Sequence, residues 1–471
     1  MTGTTSPATT RERVRRLGGA ACDVLAIPRR FEAPPAGSGL RHVHGGRGLP
    51  VVGHVPTMYV DPIGWARRRF NRYGAVSPLN LVAKRGILAL GPDATAEILV
   101  NKDKAFASGW SSMFEPLLPR GILLLDFEEH LHHRRILQQA FTRTRLDAYL
   151  QAMMPTIDGE ISRWQTGAGF QIFPATKKLM LDLVAEFFVG TRLDPEADRV
   201  RDAFLRMTNA AQTPLRVNVP GGTWARGLKA RRFLEDFIRT RLADKRTGAG
   251  DDLFSALCDA QTEDGEQFSD QDVVKHMIFV PAVAHDTATL TMSTMCYYLA
   301  KHPQWQERVR AESVAFRRGT LHYGDMDSLV SLDLVMKEAT RLVAPVPMLM
   351  RETVVDTELA GFFVPKNTFT LVMPHFNHHM GEYWPDPERF DPERFAPDRH
   401  EDKIHKYAWA PFGGGAHKCI GMFFAGMEIK AILHQMLLNF EWSVDPGYQA
   451  KFELRRLFVP KDGLAVRLRR R

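Results

Sequence analysis

The chain has 471 residues, 44% of them hydrophobic and 25% charged, a globular composition that excludes collagen-like, coiled-coil and disordered classes. Its 62 Lys and Arg against 54 Asp and Glu give a formal net charge of +8. The bases are interspersed with acids, so the concentrated stripe of a nucleic-acid-binding surface is missing; the excess reads as a solvated basic surface, with an acidic protein partner or a membrane surface as the alternative. Four cysteines, Cys22, Cys258, Cys296 and Cys419, stand far apart with no CxxC pair. That spacing excludes a disulfide scaffold and a cluster held by four neighbouring thiolates, and it suits a reducing cytoplasm.

In chain order, residues 1–45 read as a flexible arm that ends in the breaker-rich runs 33–39 and 44–50. Its apolar stretch, Leu17 to Ile27, is interrupted by Asp23 and falls short of the ~18–20 residues that span a bilayer. The Thr- and Arg-rich segment before it has one acid, Glu12; it reads as a loose polar arm, with an organelle transit peptide as the alternative. The pattern predicts a helix over Pro62 to Tyr73 and strands around Val76–Leu81 and Gly86–Leu90. From about 128 to 345 it is helical, 353–374 returns to strand character, and a Pro-rich meander occupies 384–395. A glycine loop and a last long helix fill 412–438, and residues 464–469 alternate like an edge strand. A mainly α chain with small β-sheets drawn from both ends, an α+β class, predicts one domain over 46–471.

The densest chemical signal is residues 411–430, PFGGGAHKCIGMFFAGMEIK. Gly413, Gly414 and Gly415 form a loop that side-chain-bearing residues could not follow. Cys419 comes four residues later, and Ile420, Phe423, Phe424 and Met427 recur at helical spacing immediately after it. A sulfur at a helix N-terminus feels the positive end of the dipole, and N–H groups freed by the glycines can point at it. Both favour the thiolate that a metal requires. His417 is placed to reach an acidic group at the rim of a cofactor. An inert buried cysteine is the ordinary alternative, but the pattern Phe-x-x-Gly-x-[His/Arg]-x-Cys-x-Gly arises by chance on the order of once per several thousand chains of this length.

Phe412, Gly415, His417, Cys419 and Gly421 together resemble the haem-binding loop of the cytochrome P-450 superfamily, soluble bacterial type. The resemblance implies haem b as cofactor, Cys419 as the iron ligand, and a haem buried between a long central helix and the cysteine-loop helix. It extends in ordered motifs over about residues 45–471. Glu338-Ala-Thr-Arg341 puts an acid and a base on one helix face, a commonplace pair by itself. The resemblance implies that both join Arg394 in a buried charge network. His130 and Arg134, at i and i+4, would otherwise read as part of a basic surface helix, and no third ligand at suitable spacing supports zinc. The resemblance makes them partners of the haem propionates, with Arg351 as another.

Residues 276–300 read as a buried helix with a polar insert, His285, Asp286 and Thr287. A satisfied core cluster is one reading. The resemblance implies the other, in which Asp286 and Thr287 deliver protons to bound dioxygen. The chain departs from the family's commoner pattern at Phe127, Val283, Ala284, Ala288 and His379-Met380-Gly381, and Pro281 is expected to kink the helix upstream. Substrate contacts would come by order from Trp110, Met113, Phe114, Leu117 and Leu118; from Phe279, Ala282 and Val283; from Val346, Met348 and Leu349; and from Leu457, Phe458 and Val459. These residues are equally consistent with plain core; as a pocket they suit a large hydrophobic molecule.

The expected activity is therefore monooxygenation of a sterol-, terpenoid- or fatty-acid-like substrate with O2. No GxGxxG opens a helix after a strand, so electrons are expected from a ferredoxin or flavodoxin with its reductase, docking near Arg134, Arg135, Arg143 and Lys418. The alternatives are a peroxide-driven or rearranging haem-thiolate enzyme, a non-catalytic haem-based sensor or carrier, and a cofactor-free helical binding module. The expected location is cytoplasmic, with peripheral membrane contact left open and no transmembrane anchor.

Overall fold

The computed structural model describes residues 28–46, 48–82, 84–188, 195–213, 216–248, 250–454 and 457–471. Residues 1–27, with the apolar stretch and Cys22, lie outside them. Contacts divide the chain into two compact units. The first comprises Met1–Gly109, Val346–Arg389 and His400–Ala416; the second comprises Trp110–Pro345, Phe390–Arg399 and His417–Arg471.

A five-stranded sheet organises the first unit. Its strands are β1 (Val76–Asn80), β2 (Arg85–Ala89), β3 (Phe106–Ser108), β4 (Leu349–Thr353) and β5 (Phe369–Val372), in the order β1-β2-β5-β4-β3. Only β2 and β5 run parallel. Ile87 and Ala89 enter one apolar cluster with Ala94 and Ile98, whereas Leu88 and Leu90 enter another with Trp65 and Ala66. Both faces are covered, which is why β2 and β5 read as apolar runs without alternation. Pro78 is tolerated because β1 is an edge strand. The helix Pro62–Tyr73 has the bounds the pattern predicts. The Asp61 side chain accepts from Gly64 N at 3.0 Å, Pro62 occupies the first position, and Gly74 at φ 80° ends it. Residues 28–30 pair antiparallel with 44–46.

The buried amide of Asn377 ties this unit together. Its oxygen accepts from Gly91 N at 3.1 Å, and its nitrogen donates to Thr95 Oγ1 at 2.9 Å and to Tyr407 O at 3.2 Å. The last of these fixes the segment that leads into the glycine loop. In that loop Gly415 sits at φ 61°, and a Cβ there would lie 1.7 Å from Leu99 O. Both the dihedral and the close approach demand glycine.

The second unit is mainly helical. Its functional elements are α1 (Phe127–Gln139), α2 (Ile172–Leu183), α3 (Asp270–Lys301), α4 (Val330–Leu342) and α5 (Met422–Asn439). The Ser269 side chain accepts from Asp272 N at 3.2 Å to cap α3, and Asp270 and Asp272 favour its positive end. From there α3 continues for 32 residues, unbroken at Pro281, packed against α2, α4 and α5. The mainly α class with small sheets is as expected.

Two sequence expectations change in detail. Ala465–Arg470 is the central strand of a three-stranded sheet, between Phe440–Ser443 and Gly167–Gln171, and not an edge. The sheet buries one face through Val466 and Leu468, and this produces the alternation that suggested an edge. Phe423 is 64% exposed, although it fits the helical spacing. The buried face of α5 is carried by Phe424 and Met427, and Phe423 is turned to solvent about 100° away.

Candidate active site

Cys419 lies just ahead of α5, two residues before the N-cap Gly421. The helix therefore opens slightly later than the sequence suggested, and the N-cap N–H of Gly421 bonds to the sulfur. The Cys419 side chain is open to solvent, although protein atoms crowd round its sulfur. Burial pushes the thiol pKa up; the Gly421 N–H, the Arg134 guanidinium and the Lys418 ammonium pull it down, and burial prevails. The protein alone thus holds a thiol, and a cation bonding at the sulfur would ionise it.

Cationic and donor groups cluster on the same unit. Burial lowers the Arg134 pKa while Cys419 raises it, so the guanidinium is desolvated close to the sulfur. One turn back on α1, His130 is buried and stacks on His417, with ring centroids 3.9 Å apart and an angle of 27°. His417 Nε2 is 3.5 Å from Asp126 Oδ1. A solvent-open soft sulfur with Arg134 close by, on the unit that also holds the His130–His417 stack, is a donor set that fits an iron porphyrin with two carboxylates.

Midway along α3 the burial pattern breaks. Val283, Ala284, Asp286 and Thr287 are half-buried in a stretch of helix that is otherwise buried. Burial alone would raise the Asp286 carboxyl; His285 and Lys177 more than offset it and hold it well below the usual carboxylate range. Lys177 Nζ on α2 is 3.0 Å from Asp286 Oδ1, and His285 Nε2 is 3.3 Å from it. His285 Nδ1 is in turn 3.2 Å from Pro281 O. The Thr287 hydroxyl donates back to Ala284 O at 3.0 Å and lies 3.2 Å from Val283 O, so its lone pairs remain to accept.

The structure brings Glu338, Arg341 and Arg394 together, all essentially without exposure. Arg341 Nε donates to Glu338 Oε2 at 2.6 Å and Nη2 to Oε1 at 2.8 Å. Asp391 N donates to Oε1 at 2.9 Å, and Arg394 Nε is 3.5 Å from it. Burial pushes the Glu338 carboxyl up; the hydrogen bonds from Arg341 and Asp391 N and the charge of Arg394 oppose it.

Among the pocket candidates, Gly121 has so little room that a Cβ would sit 2.1 Å from the Phe279 ring, which seats Phe279 of α3 against the loop carrying Leu117 and Leu118. Trp110 is buried with its ring 5.5 Å from Phe114, Met113 is half-buried, and Ala282 and Phe458 are buried. Arg351, Phe412, Gly415, Val346 and Met348 belong to the first unit. There Arg351 is buried in β4, opposite Thr370 and Ser108, and donates to Met350 O at 2.9 Å. The Phe412 ring is 6.3 Å from Trp409, edge-on. Arg135, Arg143 and Lys418 are exposed, whereas Arg134 is turned inward. Sequence reasoning missed Lys177 and Asp126, which lie far along the chain from the groups they meet and carry no motif. Among the described residues no helix is long and apolar enough to cross a membrane.

The family model that matches is Cytochrome P450, over residues 43–467. A relative named cytochrome P450 136, from Mycobacterium tuberculosis, is 42% identical over 94% of this chain and 92% of its own length. A pentalenene oxygenase of Streptomyces avermitilis is 29% identical over 84% of this chain and 90% of its own. A retinoic acid-bound cyanobacterial CYP120A1 superimposes with a TM-score of 0.80 at 26% identity, covering 90% of this chain and 98% of that one.

Proposed function

The chain belongs to the cytochrome P450 family and is a monooxygenase, and from that premise we propose that it is a haem-thiolate enzyme oxidising a hydrophobic, isoprenoid-like molecule with electrons from a separate carrier. Bound haem would supply reductive activation of O2 and transfer of one oxygen atom to the substrate. Cys419 is the iron ligand in this reading. The Gly421 N–H, Arg134 and Lys418 favour its negative charge, and His130, His417 and Arg134 meet the propionates. The roles of Arg351, Phe412 and Gly415 rest on their match to the family pattern.

Asp286 and Thr287 handle protons. Lys177 keeps a partly exposed side chain on Asp286, so a proton from solvent can reach the carboxylate through the ammonium. The Thr287 hydroxyl donates back to Ala284 O and keeps its lone pairs to accept a hydrogen bond. Phe279, Leu117 and Trp110 are buried apolar and aromatic side chains, and in this reading they face a terpenoid or retinoid skeleton. Two similar proteins, an oxygenase of pentalenene and one bound to retinoic acid, support that class.

The observation that carries this reading is the solvent-reachable sulfur of Cys419, surrounded by protein and paired with a desolvated Arg134. Cys419→Ser tests it. The reduced, carbon monoxide-treated protein should lose its red-shifted Soret band, and a variant that keeps the band would refute the assignment. Titration of the intact enzyme with terpenoids, retinoids, sterols and fatty acids, read as a spin-state shift, would identify the substrate class.

A further inference from the structure

A histidine pair outside this mechanism joins two helices of the second unit. His133 Nδ1 on α1 meets His276 Nε2 on α3 at 2.8 Å. Both rings are buried, and Phe268 covers them with its ring 5.3 Å from His133 and 4.8 Å from His276. His276 Nδ1 has no hydrogen-bond partner among the described residues. That orphan selects the tautomer, because a bare buried lone pair is tolerated better than a buried N–H without an acceptor. His276 therefore donates from Nε2, His133 accepts at Nδ1, and both rings are neutral.

One more proton has nowhere to go. Placed on His133 Nδ1, it sets two N–H groups against each other. Moved through the pair to His276 Nδ1, it creates a buried N–H with no acceptor. The charged and titratable groups facing the pair are Glu129 and His132 on α1, Arg120 ahead of it, and Asp272 and Lys275 on α3. His132 is 3.2 Å from Glu266. Burial outweighs the attraction of Asp272 and Glu129 and lowers both rings, His276 to about 3. A histidine lowered from 6.5 contributes stability that is complete above pH 6.5 and is lost as pH falls toward about 3.

The pair secures α1, the helix whose next residue is Arg134. We propose that the His133–His276 hydrogen bond is the positioning contact that seats α1, and with it the Arg134 guanidinium, beside the Cys419 sulfur, and that acid releases the thiolate by protonating this pair. The proposal rests on Cys419 being the iron ligand and Arg134 its charge partner.

Two readouts on the intact holoenzyme test it: the reduced carbon monoxide spectrum against pH, and amide hydrogen exchange over residues 127–139. His276→Gln keeps a side-chain N–H for His133 but cannot take up a proton. It should hold the red-shifted Soret band to a pH lower than wild type by about half a unit or more. His276→Leu removes the bond and should speed α1 exchange about fivefold near neutral pH, with faster haem loss. His133→Asn carries the same expectation as His276→Gln if the latter fails to fold. Coincident acid midpoints in wild type and His276→Gln overturn the proposal. Unchanged α1 exchange in His276→Leu overturns it at the pair itself. Faster α1 exchange with an unmoved Soret band overturns it at the link between α1 and the sulfur, and leaves the assignment of Cys419 standing.

Discussion

Asp286 owes its charge to His285, its neighbour in the polar insert, and to Lys177, which no motif announces. Burial would neutralise it; Lys177 at 3.0 Å and His285 at 3.3 Å keep it ionised. Its pKa is lowered from 3.8, so its contribution to stability is present above about pH 4 and fails only in stronger acid. A neutral-range limb in the pH–rate profile is then not the titration of Asp286. Lys177→Met removes the cation and lets burial raise the carboxyl. The expected result is turnover lower by about tenfold to a hundredfold and an acid limb displaced upward in pH, with the carbon monoxide spectrum unchanged. An unaltered profile would remove Lys177 from proton delivery.

At the scale of elements, the charge network ties α4 to the 3₁₀ turn Pro392–Phe395, because one carboxylate serves Arg341, Arg394 and the backbone of Asp391. Glu338→Ala would leave two buried guanidinium groups without their common acceptor, a cost of about 3–5 kcal/mol. We expect that variant to incorporate no haem, checked by the Soret absorbance of purified protein per milligram. A stably loaded Glu338→Ala protein would mean that the network is dispensable. α3 shows a second property of elements. Its buried length tolerates Pro281 because side-chain packing on α2, α4 and α5 replaces the one backbone hydrogen bond the proline removes.

Over the whole molecule the net charge of +8 is spread, but Arg135, Arg143 and Lys418 are exposed on the unit that carries Cys419, and Phe423 stands exposed four residues after it. A basic surface with an aromatic side chain suits an acidic electron carrier. With such a donor, raising ionic strength from about 0.05 M to about 0.5 M should slow the first electron transfer about tenfold, measured by stopped-flow reduction under carbon monoxide. Salt-independent reduction would point to a donor that docks without charge.

The sequence by itself determined what depends on neighbours along the chain. Helix Pro62–Tyr73 is legible because Asp61, Pro62 and Gly74 cap it locally, and the cysteine loop because its glycines, sulfur and helix start fall within a dozen residues. Glu338 and Arg341 are likewise one turn apart. Only the tertiary structure decided that Lys177 neutralises Asp286, that His276 meets His133, that Asp126 faces His417, and that Ala465–Arg470 is a central strand. Each of these joins residues separated by long stretches of chain. Such pairings are chosen by which faces pack together, and a linear pattern of apolar and polar residues gives a segment its face but not the face it will meet.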